Sequence, residues 1–148
     1  MKRRSDHTGG QAVAPGSEAL LRSYAAHNSL DGARLLAGLA RAPRFRLGGW
    51  LLGLQPRAIA ITLDATVYCR EPLGASTYVH ELVHVAQYAE LGVPKFLALY
   101  FGLAIGQIAR RALRGEPIDV MTASPLEDEA YAIEARFLAW ARSGGAAR

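Results

Sequence analysis

Residues Ser76 to Leu91 read STYVHELVHVAQYAEL, and this stretch constrains the fold more than any other. Ser76 or Thr77 can cap a helix there. Gly92 and Pro94 close it, and the residues between them suit a buried helix. His80 and His84 stand four apart, so on a helix both imidazoles lie on one face, one turn apart. Glu81 is rotated by about 100° from the first of them. This is the HExxH spacing, in which two histidine nitrogens hold one Zn²⁺ and the glutamate takes the proton of an activated water. Such a site needs a third protein ligand from another part of the chain.

No histidine follows His84 at the spacing that extends the motif in metzincins, and His7 and His27 are the only others. A carboxylate is the alternative, as in the two-histidine, one-glutamate site of thermolysin. The last helical segment offers Glu127, Asp128, Glu129 and Glu134. Its Glu127-Asp128-Glu129-Ala130-Tyr131 run can be compared with the ExxSD and ExxAD stretches of thermolysin-like and related integral-membrane metallopeptidases, and it fits at Glu127. Glu129 is the reserve candidate, because residues two apart on a helix point about 200° apart and only one of the pair can face the metal. Ser124-Pro125-Leu126-Glu127 also reads as a capping box, a competing role for Glu127. Tyr131 stands where those families carry an aspartate that orients the first histidine. The partner of His80 therefore stays open among Tyr131, Asp128 and Gln87.

Around this centre the chain reads as mainly α with a small β-hairpin, an α+β fold. A disordered lead is expected over residues 1–16 and a single domain over 17–148. Ser17 is expected to cap a first helix ending near Asn28, and Asp31 a second that Pro43 halts. Arg44–Gln55 is Gly-rich and reads as loop or short helix. AIAITL and TVYC, separated by Asp64-Ala65, read as two strands and a turn. Phe96–Ala109 is apolar but shorter than the ~20 residues of a span, so a buried helix is expected. Membrane contact by this segment, with Lys95 and Arg110/Arg111 at the headgroups, is the less favoured reading. Arg114–Ala123 reads as a loop before a last helix opened by Ser124-Pro125.

Composition narrows the class further. With 148 residues and 51% hydrophobic content, one core is the natural expectation. The single cysteine, Cys69, forms no intrachain disulfide, and a reducing compartment is the simplest reading. A net charge of +4 is mildly basic, and the arginines fall in two loose groups without interleaved aromatics, so no nucleic-acid partner is expected. The N-terminus lacks a continuous apolar signal core. A cytoplasmic location is therefore expected, with export by a specialised system as the alternative.

TLDATVYCREP, STYVHELVHVAQYAELG and SPLEDEAY together resemble the zincin-like metallopeptidase domain associated with bacterial extracellular contractile injection systems. The likeness covers about Pro56 to Phe137. It implies a bacterial zincin-like core with Zn²⁺ held by His80, His84 and a glutamate of the last helix, with Glu81 as general base. A peptide or protein substrate is implied, and secretion or injection-system components are the implied partners. The function expected is hydrolysis of peptide bonds. The alternative is an inactive zinc-binding scaffold module. Tyr68, Tyr88, Tyr100 and Tyr131 are equal candidates for a donor to a developing oxyanion, and Cys69 is either a buried strand residue or a fourth ligand.

Overall fold

Thr66–Cys69 (β3) sends Val67 and Cys69 inward in the alternation that a strand imposes, and both are fully buried. This short strand is the middle of a three-stranded sheet in the computed structural model, which describes residues 11–116 and 124–145. Ala60–Leu63 (β2) pairs with it antiparallel across the Asp64-Ala65 turn, as expected. Asp64 adopts a left-handed φ of 53°, a conformation that aspartate tolerates, and Arg41 Nη2 donates to its carboxylate at 3.1 Å. The third strand, Arg44–Leu47 (β1), was not expected, since its segment reads as loop or short helix. It pairs with β3 in parallel, in the register Arg44 to Thr66. Four residues are too few for a period to show; the strand exists through its ladder to β3, and Phe45 packs on Tyr78 of the helix that follows (ring centroids 5.2 Å). Trp50–Leu54 then forms a 3₁₀ turn.

Helices make up most of the fold: Ser17–His27 (α1), Ser29–Ala40 (α2), Ala75–Leu91 (α3), Val93–Arg114 (α4) and Pro125–Arg142 (α5). The core lies where α1, α2 and α5 meet α3 and one face of the sheet, around Leu21, Leu35, Leu82, Val83 and Phe137. Two glycines let α2 approach its neighbours. A Cβ on Gly32 would stand 2.3 Å from the Ala25 carbonyl oxygen of α1, and one on Gly38 would stand 2.4 Å from that of Leu82 in α3.

Several expected caps are replaced. Ser17 is a buried first residue of α1 behind Gly16, and α3 starts after Gly74 without a side-chain cap from Ser76 or Thr77. Asn28, not Asp31, caps α2, its side-chain oxygen accepting from the Asp31 amide at 3.1 Å. Ser124 does cap α5, accepting from the Leu126 amide. The lead expected over 1–16 lies outside the described residues up to 10. Beyond that point Val13 is held against Leu73 through the Ala12 carbonyl and the Ala14 amide. Of the loop expected over 114–123, residues 117–123 lie outside the described residues.

Asp31 has a larger task than capping. Its buried carboxylate accepts from the Tyr24 hydroxyl (2.5 Å) and from Arg136 Nε and Nη2 (2.9 and 2.8 Å), so one side chain ties α1, α2 and α5. The Arg136 hydrogen bonds hold its pKa below the ordinary value against the opposing effect of burial. Asp31→Asn is expected to cost about 2–3 kcal/mol in urea unfolding at neutral pH, the low end for a broken buried pair because Arg136 is half exposed. A lowered carboxylate pKa stabilises above the unfolded value and ceases to do so as pH falls through the folded one. The deficit of the variant should therefore shrink on acidification below about pH 4. A deficit unchanged by acid would mean that charge is not what Asp31 contributes.

The apolar segment in α4 is not the buried helix that composition suggests. Phe96 is the one buried residue among its described side chains, stacked on Tyr88 at 3.7 Å. Phe101, Ile105 and Leu113 are exposed.

Candidate metal centre

α3 carries His80 and His84 one turn apart, and the first turn of α5 lies across them. Ala130, fully buried, allows that approach, and Glu127 from the turn before it faces both rings. Two nitrogens and one carboxylate converge. His80 Nε2 lies 3.2 Å from His84 Nε2 and 3.2 Å from Glu127 Oε2, and His84 Nε2 lies 3.4 Å from the other carboxylate oxygen, Glu127 Oε1. These three residues form a group that can hold a metal ion. A tetrahedral ion with bonds of about 2.0–2.1 Å needs donor atoms about 3.3–3.4 Å apart, and the two nitrogens and their nearest carboxylate oxygens stand close to that spacing.

The other ring nitrogens fix what this triangle offers. His80 Nδ1 faces Glu134 Oε2 at 3.0 Å, and a carboxylate oxygen can only accept, so Nδ1 carries the hydrogen. His84 Nδ1 faces Gln87 Oε1 at 2.9 Å. The Gln87 amide is oriented by its own nitrogen, which donates to the Leu126 carbonyl (2.9 Å) and to Glu129 Oε2 (2.7 Å). Its oxygen is thus left to accept from His84 Nδ1. With both Nδ1 positions donating, the neutral rings turn two Nε2 lone pairs toward each other and toward the Glu127 carboxylate. Three acceptors in buried contact call for positive charge between them, either protons on the Nε2 atoms or a metal ion, and this pattern of oriented imidazoles is the one that metal ligands show.

The electrostatics agree. Burial disfavours a charged His80, yet hydrogen bonds to Glu127 and Glu134, with the charge of Glu81, overcome it and push the pKa up to about 10. Burial likewise opposes charge on His84, and Glu127 and Glu81 outweigh it, raising its pKa. Glu127 is held far below the usual carboxylate range by the two imidazoles, although burial works the other way. In the metal-free chain, protons take the part of the cation. A raised imidazole pKa contributes stability that is complete below the ordinary 6.5 and disappears as pH rises through about 10. The thermal midpoint of chelator-treated protein is therefore expected to fall across that interval, while metal-loaded protein changes less because its donors are already deprotonated. A flat profile for the chelated protein would contradict a charged His80.

Glu81, the expected base, is buried beside the triangle, and Thr62 of β2 donates to its Oε2 at 2.6 Å. Glu129, the reserve ligand, faces elsewhere, gripped by Arg34 Nε and Nη2 at 2.8 and 2.9 Å. The Glu127 side chain is directed at the histidines and at the Tyr100 hydroxyl (3.1 Å). Of the tyrosines, Tyr100 reaches Glu127, and Tyr131 sets its ring edgewise against His80 at 4.6 Å. The hydrogen-bond partner of His80 Nδ1 is Glu134, where Tyr131, Asp128 and Gln87 were the candidates. Gln87 serves His84 instead. Glu134 follows Glu127 by two helical turns on the same face, a spacing that could have marked it. Nothing in the sequence marks Thr62. Cys69 is a buried strand thiol, its pKa pushed up to about 11 by burial and then by Glu81, and it is not in the convergent group.

No protein-family profile, curated protein or solved structure matches this chain.

Proposed function

We propose that this chain is a zinc-dependent metallopeptidase with a zincin-like core. The observation that carries the reading is the convergence of two Nε2 lone pairs and one carboxylate, with a further carboxylate, Glu81, buried beside them and held by Thr62. Two nitrogens and an oxygen suit zinc, and three protein ligands rather than four are the number that catalytic sites use. A zinc ion there supplies Lewis acidity, polarising a carbonyl and making water nucleophilic near neutral pH.

The chain's own residues do the rest. Glu81 accepts the proton of the attacking water and returns it to the leaving amine, and Thr62 keeps the carboxylate aimed while occupying one of its oxygens. Glu134 and Gln87 hold the two imidazoles in the tautomer that presents Nε2. β2 is an edge strand of the sheet, and it carries Thr62. An extended peptide adding to that edge would run past the base, with main-chain hydrogen bonds giving affinity without demanding a sequence. Tyr100, whose hydroxyl donates to Glu127, is placed to donate to charge developing on the scissile carbonyl.

Elemental analysis of protein purified without added metal, wild type against His84→Ala, tests the centre directly. About one zinc per wild-type chain, lost in the variant, is expected. Cleavage of a peptide library by the zinc-loaded protein is the second readout. No zinc in either protein, even after reconstitution, would overturn the reading and leave a scaffold module.

A further inference from the structure

The long helix beside the centre has a surface that the centre does not use. α4 is apolar enough along its length to cross a membrane, yet only 6% of its most apolar window is buried. Core helices of soluble proteins and N-terminal signals pass the same test, but the first are buried and the second lie at the start of a chain. α4 is neither. Leu97, Phe101, Ile105 and Ile108 follow one another at intervals of three and four and make a single stripe. Phe101 and Ile105 are 53% and 66% exposed. Phe96 and Tyr100, which tie the helix to Tyr88 and Glu127, lie on a different face. Phe101 and Ile105 are therefore turned away from the body of the protein, and Leu97 and Ile108 are half-buried at either end of the stripe.

A second exposed apolar element is tied to the same helix. The 3₁₀ turn holds Trp50 at 75% and Leu54 at 68% exposure. Gln55, at the end of that turn, donates to the Tyr100 hydroxyl and so links it to α4. Arg70 clamps the turn in place through the Leu52, Gln55 and Ala58 carbonyls. An exposed tryptophan beside an amphipathic helix is the arrangement that headgroup regions favour.

The charge selects the occupant. α4 carries Lys95, Arg110, Arg111 and Arg114 and no Asp or Glu. A second copy docked through the stripe gains nothing from these cations, which stand off it, whereas an anionic headgroup layer takes up the stripe and reaches past it to both basic ends of the helix. We propose that α4 and the Trp50 turn dock the protein in the interface plane of an anionic bilayer, holding the metal centre at the membrane surface. The docking needs no metal, so the failure of the peptidase reading would leave it standing.

Flotation of the full chain with vesicles of phosphatidylcholine alone, or of phosphatidylcholine mixed with phosphatidylglycerol, tests this. Binding to the mixed vesicles only is expected, with release by salt, a blue shift of Trp50 emission and no effect of a chelator. Trp140 is buried and supplies a constant background. Phe101→Ser/Ile105→Ser should abolish binding. Arg110→Gln/Arg114→Gln should weaken it about 30-fold, a few-fold for each cation lost near the surface. Both pairs change exposed side chains, and circular dichroism identical to wild type is the check on folding. No flotation with either vesicle, or equal flotation with both, would overturn the proposal. So would a dimer in solution that the Phe101/Ile105 variant dissolves while wild type ignores lipid, which would make the stripe a self-association surface.

Discussion

Glu81→Gln should keep its metal and lose turnover by roughly 100- to 10,000-fold, the usual contribution of a positioned general base. The substitution is nearly isosteric. The Thr62 hydroxyl, which donates to Glu81 Oε2 at 2.6 Å, can donate equally to an amide oxygen. Nothing in the His80, His84, Glu127 triangle is removed. What disappears is the basic carboxylate and one negative charge near the imidazoles. Metal content by elemental analysis beside the rate of peptide cleavage separates the two effects. Retained turnover would eliminate Glu81 as the base, and loss of the metal together with the rate would make it part of the binding site.

Loss of metal among the α5 carboxylate variants should be greatest for Glu127→Gln, smaller for Glu134→Gln and least for Glu129→Gln. Glu127→Gln removes an anionic donor that touches both histidines, and zinc is expected to be lost on dialysis against a mild chelator. Glu134→Gln leaves all three donors but weakens the orientation of His80, an effect of about 10- to 100-fold in affinity for such partners. Glu129→Gln is one step further out. It acts on His84 only through Gln87, and its main loss is the paired hydrogen bond from Arg34. Competition titration with a chromophoric chelator ranks the three. Equal affinities, or Glu129 ahead of Glu127, would sink the ligand assignment.

Where the chain was legible, the signal was local. The His80–His84 spacing fixes a helical face by geometry alone, and the β2–β3 hairpin follows from two apolar runs and a turn that aspartate can make. Ser124 capped its helix as a serine before Pro125 does. Glu127 was within reach because it starts the helix that the motif requires. The illegible parts depend on chain-distant partners. β1 is four residues whose strand character exists only against β3. Asp31 looked like a cap, and it became a buried anchor because Arg136, on the last helix, comes to meet it. The α4 segment shows how little hydropathy says about burial: FLALYFGLAIGQIA suits a core, and the fold leaves most of it outside. Thr62 is invisible as a partner of Glu81 until the hairpin lies against α3.

The Gln87 amide has a consequence beyond the tautomer of His84. Through Gln87 Nε2 the same side chain grips the start of α5 and, by way of Glu129, the Arg34 of α2. Ion occupancy and the docking of three helices thus become one equilibrium. By mass action a ligand present at 100 times its dissociation constant adds about 2.7 kcal/mol to the folded state. On the proposed reading, the lifetime of the folded chain among proteases would then follow the free-metal level of its surroundings, and starvation for the ion would remove the molecule itself.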